Sequence, residues 1–83
     1  MSYWRGGEPM TSVKAENGIP SQFTLEGKVY VIEKIARRRR LDDPLAEPRL
    51  FQDRFKVRTT NGGLLIIAHD LMTDTWFAIR KYG

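Results

Sequence analysis

At 83 residues the chain has the length of one small domain, and a domain of that size buries only about 60% of its unfolded surface, which excludes a deep enclosed active site. It contains no cysteine and a single histidine, so a disulfide framework and a thiolate metal site are excluded, and neither a structural metal nor a cofactor is expected. Of 14 Lys and Arg against 10 Asp and Glu, four cations are the consecutive Arg37, Arg38, Arg39 and Arg40, so the rest of the chain is formally neutral. One concentrated positive spot suits a phosphate or an acidic partner better than a diffuse basic coat does. The longest unbroken apolar stretch runs from Leu64 to Ala68, too short to span a membrane, and no signal-like segment is read at the N-terminus. With no disulfides, the expectation is a soluble, cytoplasmic protein without membrane contact.

Residues 1–9 hold two aromatics, two glycines and a proline without periodicity and read as a flexible tail, in which Tyr3 and Trp4 either dock on the domain or stay free. Residues 10–83 then form a single small β domain. Met10 to Ala15 fits a short strand, ended by the Asn17-Gly18 turn signal and Pro20. Phe23 to Leu25, Glu26-Gly27 and Lys28 to Ile32 read as a hairpin. The segment 41–53, with Pro44, Pro48 and acids at 42, 43 and 47, predicts a long loop.

The second half predicts a meander of three antiparallel strands: Phe51 to Thr60, the Asn61-Gly62 turn, Gly63 to Asp70, the turn Leu71 to Asp74, and Thr75 to Tyr82. Five or six strands in all give a mainly β fold, a small antiparallel barrel or a strongly bent sheet. A two-residue loop at Asn61-Gly62 would set Thr60 opposite Gly63, and a four-residue loop would set Asp70 opposite Thr75. Counting from there, Phe55, Val57, Thr59, Leu64, Ile66, Ala68, Phe77 and Ile79 form the core face. The other face stacks Arg54, His69 and Trp76, then Lys56, Ile67 and Ala78, then Arg58, Leu65 and Arg80.

That second face has two readings. It is a nucleic-acid platform, with cations for phosphates and Trp76 for a stacked base, or Leu65, Ile67 and Trp76 are covered by the rest of the domain, a protein partner or a second subunit. Arg37 to Arg40 divide the same way, between an anion contact through bidentate guanidinium groups and local neutralisation by Asp42, Asp43 and Glu47. His69 is the only near-neutral general-base candidate, yet no nucleophile motif accompanies it, and a strand-end surface histidine beside Trp76 is expected. Asp42-Asp43 reads as a turn cap rather than a Mg²⁺ site, and no phosphate-cradling glycine motif is present.

The layout Phe23-x-x-x-Gly27-x-x-Tyr30, then Phe55-x-Val57-x-Thr59-x-x-Gly62, then His69-Asp70-Leu71-x-Thr73-x-x-Trp76 with a terminal Tyr82 resembles a family of short bacterial domains that occur alone or appended to Y-family polymerase-like mutagenesis proteins. The resemblance covers most of residues 22–82. It implies no catalytic residue, and the matched positions are turn glycines and packed aromatics; the arginine tract is not part of the pattern. By analogy it points toward nucleic acid or a repair partner. The expectation is therefore a non-enzymatic binding module contacting nucleic acid through Arg37 to Arg40, Arg54, Lys56, Arg58, Arg80 and Trp76. The alternative is a protein-interaction or homo-oligomerisation module using the Leu65, Ile67 and Trp76 face.

Overall fold

Two tight turns shape the N-terminal half of the computed structural model, which describes residues 2–60 and 63–82. Asn17 and Gly18 have φ angles of 53° and 77°, and Glu26 and Gly27 have 52° and 76°. Successive positive angles match the twist of paired strands, so both turns close hairpins with two central residues. The strands are β1 (Ser2–Pro9), β2 (Ser12–Glu16), β3 (Ile19–Leu25), β4 (Lys28–Asp43), β5 (Leu50–Thr59), β6 (Gly63–Asp70) and β7 (Thr75–Tyr82). No helix occurs among the described residues.

All pairings are antiparallel, in the order β1-β7-β6-β5-β4-β3-β2. The C-terminal meander β5-β6-β7 matches the expectation. Two departures from the expectation follow, of which the first raises the strand count to seven from the expected five or six and the second lengthens β4. Residues 2–9, predicted as a tail, pair along β7 with Ser2 opposite Lys81 and Pro9 opposite Phe77. Segment 41–53, predicted as a loop, shrinks to 44–49, because Leu41, Asp42 and Asp43 pair with Gln52, Phe51 and Leu50; Pro44, lacking an N–H, ends the strand.

β1 and β2 occupy opposite margins of the sheet, yet only Met10 and Thr11 separate them. The sheet must therefore curl until its margins approach. At the corner, the Met10 N–H donates to the Trp76 carbonyl and the Thr11 N–H to the Thr24 carbonyl, both at 3.1 Å. β4 carries the bend: at roughly 3.3 Å per residue its 16 residues would exceed the 38 Å long axis of the molecule. Register shifts between Ile32 and Lys34 and between Ile35 and Arg37 supply the curvature that bulges give a strand. The result is an antiparallel half-barrel, open between β1 and β2.

Its interior holds Phe23, Leu25, Tyr30, Phe55, Val57, Leu65, Ile67 and Ala78, with Met10, Val13, Ile32, Ile35 and Trp76 packed at the margin. This corrects the expected core in part: Phe55, Val57, Thr59 and Ala68 are buried as expected, but the register differs. Thr59, rather than Thr60, faces Gly63, because the Thr60 N–H is drawn to the Val31 carbonyl of β4 at 3.0 Å and Gly63 takes a φ of 74°. The Asn61-Gly62 turn itself lies outside the described residues, as do the Tyr3 and Trp4 side chains. A one-residue slip exchanges the faces of a strand: Leu65 and Ile67 are fully buried where Leu64 and Ile66 were expected. The Leu71 to Asp74 loop holds Asp70 opposite Thr75 as expected, and a later shift between Ile66 and Ile67 leaves Ile79 out of the ladder.

On the outer side, the Phe77 ring lies against Gly7, whose φ is 89°. A Cβ there would overlap the ring, and the angle disfavours any side chain. Gly7→Ala should therefore loosen β1 from β7 and lower unfolding free energy by about 1–3 kcal/mol, read from urea denaturation; an unchanged midpoint would contradict this packing.

Candidate nucleic-acid interface

Side chains on a strand alternate between faces, and the arginine tract divides accordingly. Arg38 and Arg40 lie opposite Phe55 and Asp53, on the interior side, whereas Arg37 and Arg39 lie opposite Lys56 and Arg54, on the outer side. The interior pair converges on Asp53, whose side chain is only 3% exposed. Arg40 donates through Nε to Oδ1 at 2.7 Å and through Nη2 to Oδ2 at 3.0 Å, and Arg38 Nη2 adds 3.2 Å to Oδ2. The two-pronged Arg40 contact has the fork geometry that guanidinium offers a carboxylate. Arg38 also lies over the Phe55 ring and Arg40 over Phe51, with centroid distances of 5.5 and 5.3 Å.

Of the expected neutralising acids, Asp42 adds a Coulombic pull on Arg40, but the direct contacts of Asp42 and Asp43 lie elsewhere. Asp42 accepts from Arg49 Nη2 at 3.1 Å, and Asp43 Oδ1 caps the Leu45 N–H at 3.1 Å. Hydrogen bonding from Arg40 holds the Asp53 carboxyl below its ordinary value, against the opposing effect of burial, with Arg38 adding to the depression; the same bond raises Arg40.

The outer face is a grid of three rows across β4 to β7. Lys34, Arg58, Leu64 and Tyr82 form one; Arg37, Lys56, Ile66 and Arg80 the next; Arg39, Arg54, Ala68 and Phe77 the third. In every row a β4 cation sits directly opposite a β5 cation, and no acid occupies any position of the grid. Among the described residues, Lys34, Arg37, Arg39, Arg54, Lys56 and Arg58 make no ion pair; Arg54 Nε only reaches Gln52 Oε1 at 3.4 Å. Lys56 and Arg80 lie 5.3 and 4.9 Å from the Tyr82 ring centroid. A cleft of about 220 Å³ opens here, lined by Arg37, Arg39, Arg54, Lys56, Ile66 and Tyr82 among others.

Arg37, Arg39, Arg54, Lys56, Arg58 and Arg80 thus share one surface, while Arg38 and Arg40 leave it for Asp53. Trp76 is a correction. It lies on the interior side, stacked on Phe55 at 5.9 Å and on His69 at 4.0 Å, because the β5–β6 slip turned its row inward. Leu65 and Ile67 are fully buried beside the half-buried indole, so the face expected to dock a partner lines the half-barrel's own interior. Lys34 and Tyr82 are additions; only the bulged β4 register reveals that Lys34 stands opposite Arg58.

His69 Nε2 lies 2.7 Å from Asp74 Oδ1, and its ring parallels the Trp76 indole within 6°. Asp74, rather than Asp70, holds the imidazole, and Asp70 Oδ1 instead accepts from the Met72 N–H at 2.9 Å. Among the described residues no group of three or more His, Asp or Glu gathers in a way that could hold a metal ion. No family model, curated protein or solved structure matches the chain.

The Asp53 clamp predicts acid sensitivity of a defined sign. Its folded-state pKa is depressed below the ordinary 3.8, so its contribution is complete above about pH 4 and is lost as pH falls through the lower folded value. Asp53→Asn should destabilise at neutral pH by about 1–3 kcal/mol and flatten the decline as the pH falls below about 4. Thermal melts of parent and variant across that range check this, and parallel curves would refute it.

Proposed function

We propose that the outer face of β4 to β7 binds the phosphate backbone of nucleic acid. The observation that carries this reading is the set of three cross-strand rungs, Lys34 with Arg58, Arg37 with Lys56 and Arg39 with Arg54. Like charges directly opposite on neighbouring strands destabilise a sheet, by roughly 0.2–1 kcal/mol per pair. With no acid in the grid to offset them, an anion lying between β4 and β5 would.

Repetition distinguishes a polyanion from a single phosphate. The β5 cations Arg54, Arg58 and, between them, Lys56 stand at every second residue, about 6.6 Å apart along the strand. Evenly spaced cations fit evenly spaced phosphates. Base reading has little support: Trp76 faces inward, and the Tyr82 ring is already flanked by Lys56 and Arg80. Binding through phosphates alone is strongly salt-dependent and largely independent of sequence.

Fluorescence anisotropy with labelled oligonucleotides tests this. Affinity should fall with log[salt] at a slope of about −2 to −4, corresponding to three to five neutralised phosphates. Arg37→Ala/Arg39→Ala should flatten that slope by about 1 to 2, whereas Arg38→Ala, which removes a cation committed to Asp53, should leave it nearly unchanged. No binding at roughly 20 mM salt, where phosphate contacts are strongest, or equal slopes for parent and double variant, would overturn the reading.

A further inference from the structure

β4 has a free margin. β3 pairs with it only along Lys28 to Val31 and β5 takes its other side from Ile32 to Asp43, so beyond Val31 no strand among the described residues covers the margin away from β5. The pairing with β5 runs without irregularity from Arg37 to Asp43, which leaves a straight, open edge. Exposed edges are templates for another strand, and charged residues are a common guard against that. Here the charges are not of one sign. Arg39, Arg40, Leu41, Asp42 and Asp43 read as two cations, one apolar residue and two anions, a sequence that is its own electrostatic complement when reversed.

We infer that two copies of this chain associate edge to edge through antiparallel β4 strands centred on Leu41. In that register Leu41 meets Leu41 across the two-fold axis, Arg40 of each copy faces Asp42 of the other, and Arg39 faces Asp43. Opposed residues of antiparallel strands share a face, so a symmetric pair can slip only in steps that keep parity. One such step brings Arg40 against Arg40 and the opposite step Asp42 against Asp42; like charges meet at the axis in both. A single register is therefore favoured, which a guard of uniform charge would not provide.

The side chains are placed for it. Arg39, Arg40, Asp42 and Asp43 are exposed and Leu41 is half-buried. Arg40 is anchored by its own Asp53, and Asp42 by Arg49, so both are held in place before the second copy arrives. Backbone bonds supply the attraction and the paired charges the selectivity, as in other strand additions. A contact this short belongs to the small, transient class of interfaces, so association should be weak and sensitive to salt. The inference is independent of the phosphate-binding proposal: Asp43→Arg breaks the pairing without removing any cation from the basic grid.

Sedimentation equilibrium of the full chain, up to roughly 0.5 mM at low salt as a weak interface requires, tests the assignment. The parent should move from 9.6 kDa toward twice that mass. Arg39→Asp alone and Asp43→Arg alone should each remain monomeric, because each sets like charges opposite one another, and an equimolar mixture should recover the larger species, since both rungs are then attractive. In parallel, parent amide spectra should show concentration-dependent shifts concentrated at residues 39–43, a readout that needs no variant. A parent that stays at 9.6 kDa, single variants that associate as the parent does, a mixture that stays monomeric, or shifts centred on another strand would each overturn the inference.

Discussion

Because side chains alternate along a strand, a contact strong enough to fix the side on which one residue lies fixes its neighbours too, and the Arg40 to Asp53 ion pair is that contact for β4. A carboxylate only 3% exposed is unfavourable without cations against it. Asp53 therefore demands Arg40 and accepts Arg38, which leaves Arg37 and Arg39 no direction but outward. The run of four identical residues becomes two pairs, one holding Asp53 and one turned to the outer face. The same clamp aligns β4 with β5, so the rungs of the basic grid depend on it without including it.

Local chemistry explains what was legible in the sequence. Asn17-Gly18 and Glu26-Gly27 adopt successive positive φ angles, an intrinsic preference of those turns, and the Leu71 to Asp74 loop set the β6–β7 register from its length alone. The β5–β6 register was not legible, since the bond from Thr60 to Val31 comes from a strand distant in sequence. It turned Trp76 from the expected binding face to the margin of the core and made Leu65 and Ile67 interior. The arginine tract carries no alternation of polar and apolar residues that would announce a strand; its strand character comes from Asp53. Gly6 and Gly7 looked like a flexible run, whereas Gly7 makes room for Phe77.

The candidate site was legible in composition but not in arrangement. Counting cations at positions 54, 56 and 58 located one column of the grid, and the arginines located another, but only the bulges in β4 show which arginines join it and that Lys34 completes the third rung. A bulge is a one-residue event with no strong sequence signature, yet it changes the parity of everything beyond it. That is why a basic face can be foreseen while its membership cannot.

The two-residue link at Met10 and Thr11 has a further consequence, for the order in which the barrel assembles. Every pairing among β2 to β7 joins strands adjacent in sequence, so hairpins of low contact order can build these six in succession. β1 alone must find a strand at the far end of the chain, with residue 2 opposite residue 81. Closing so long a loop carries the largest entropic penalty in the fold. The meander is thus expected to be in place before β1 docks on β7, and the seam between β1 and β2 records the step that completes the molecule.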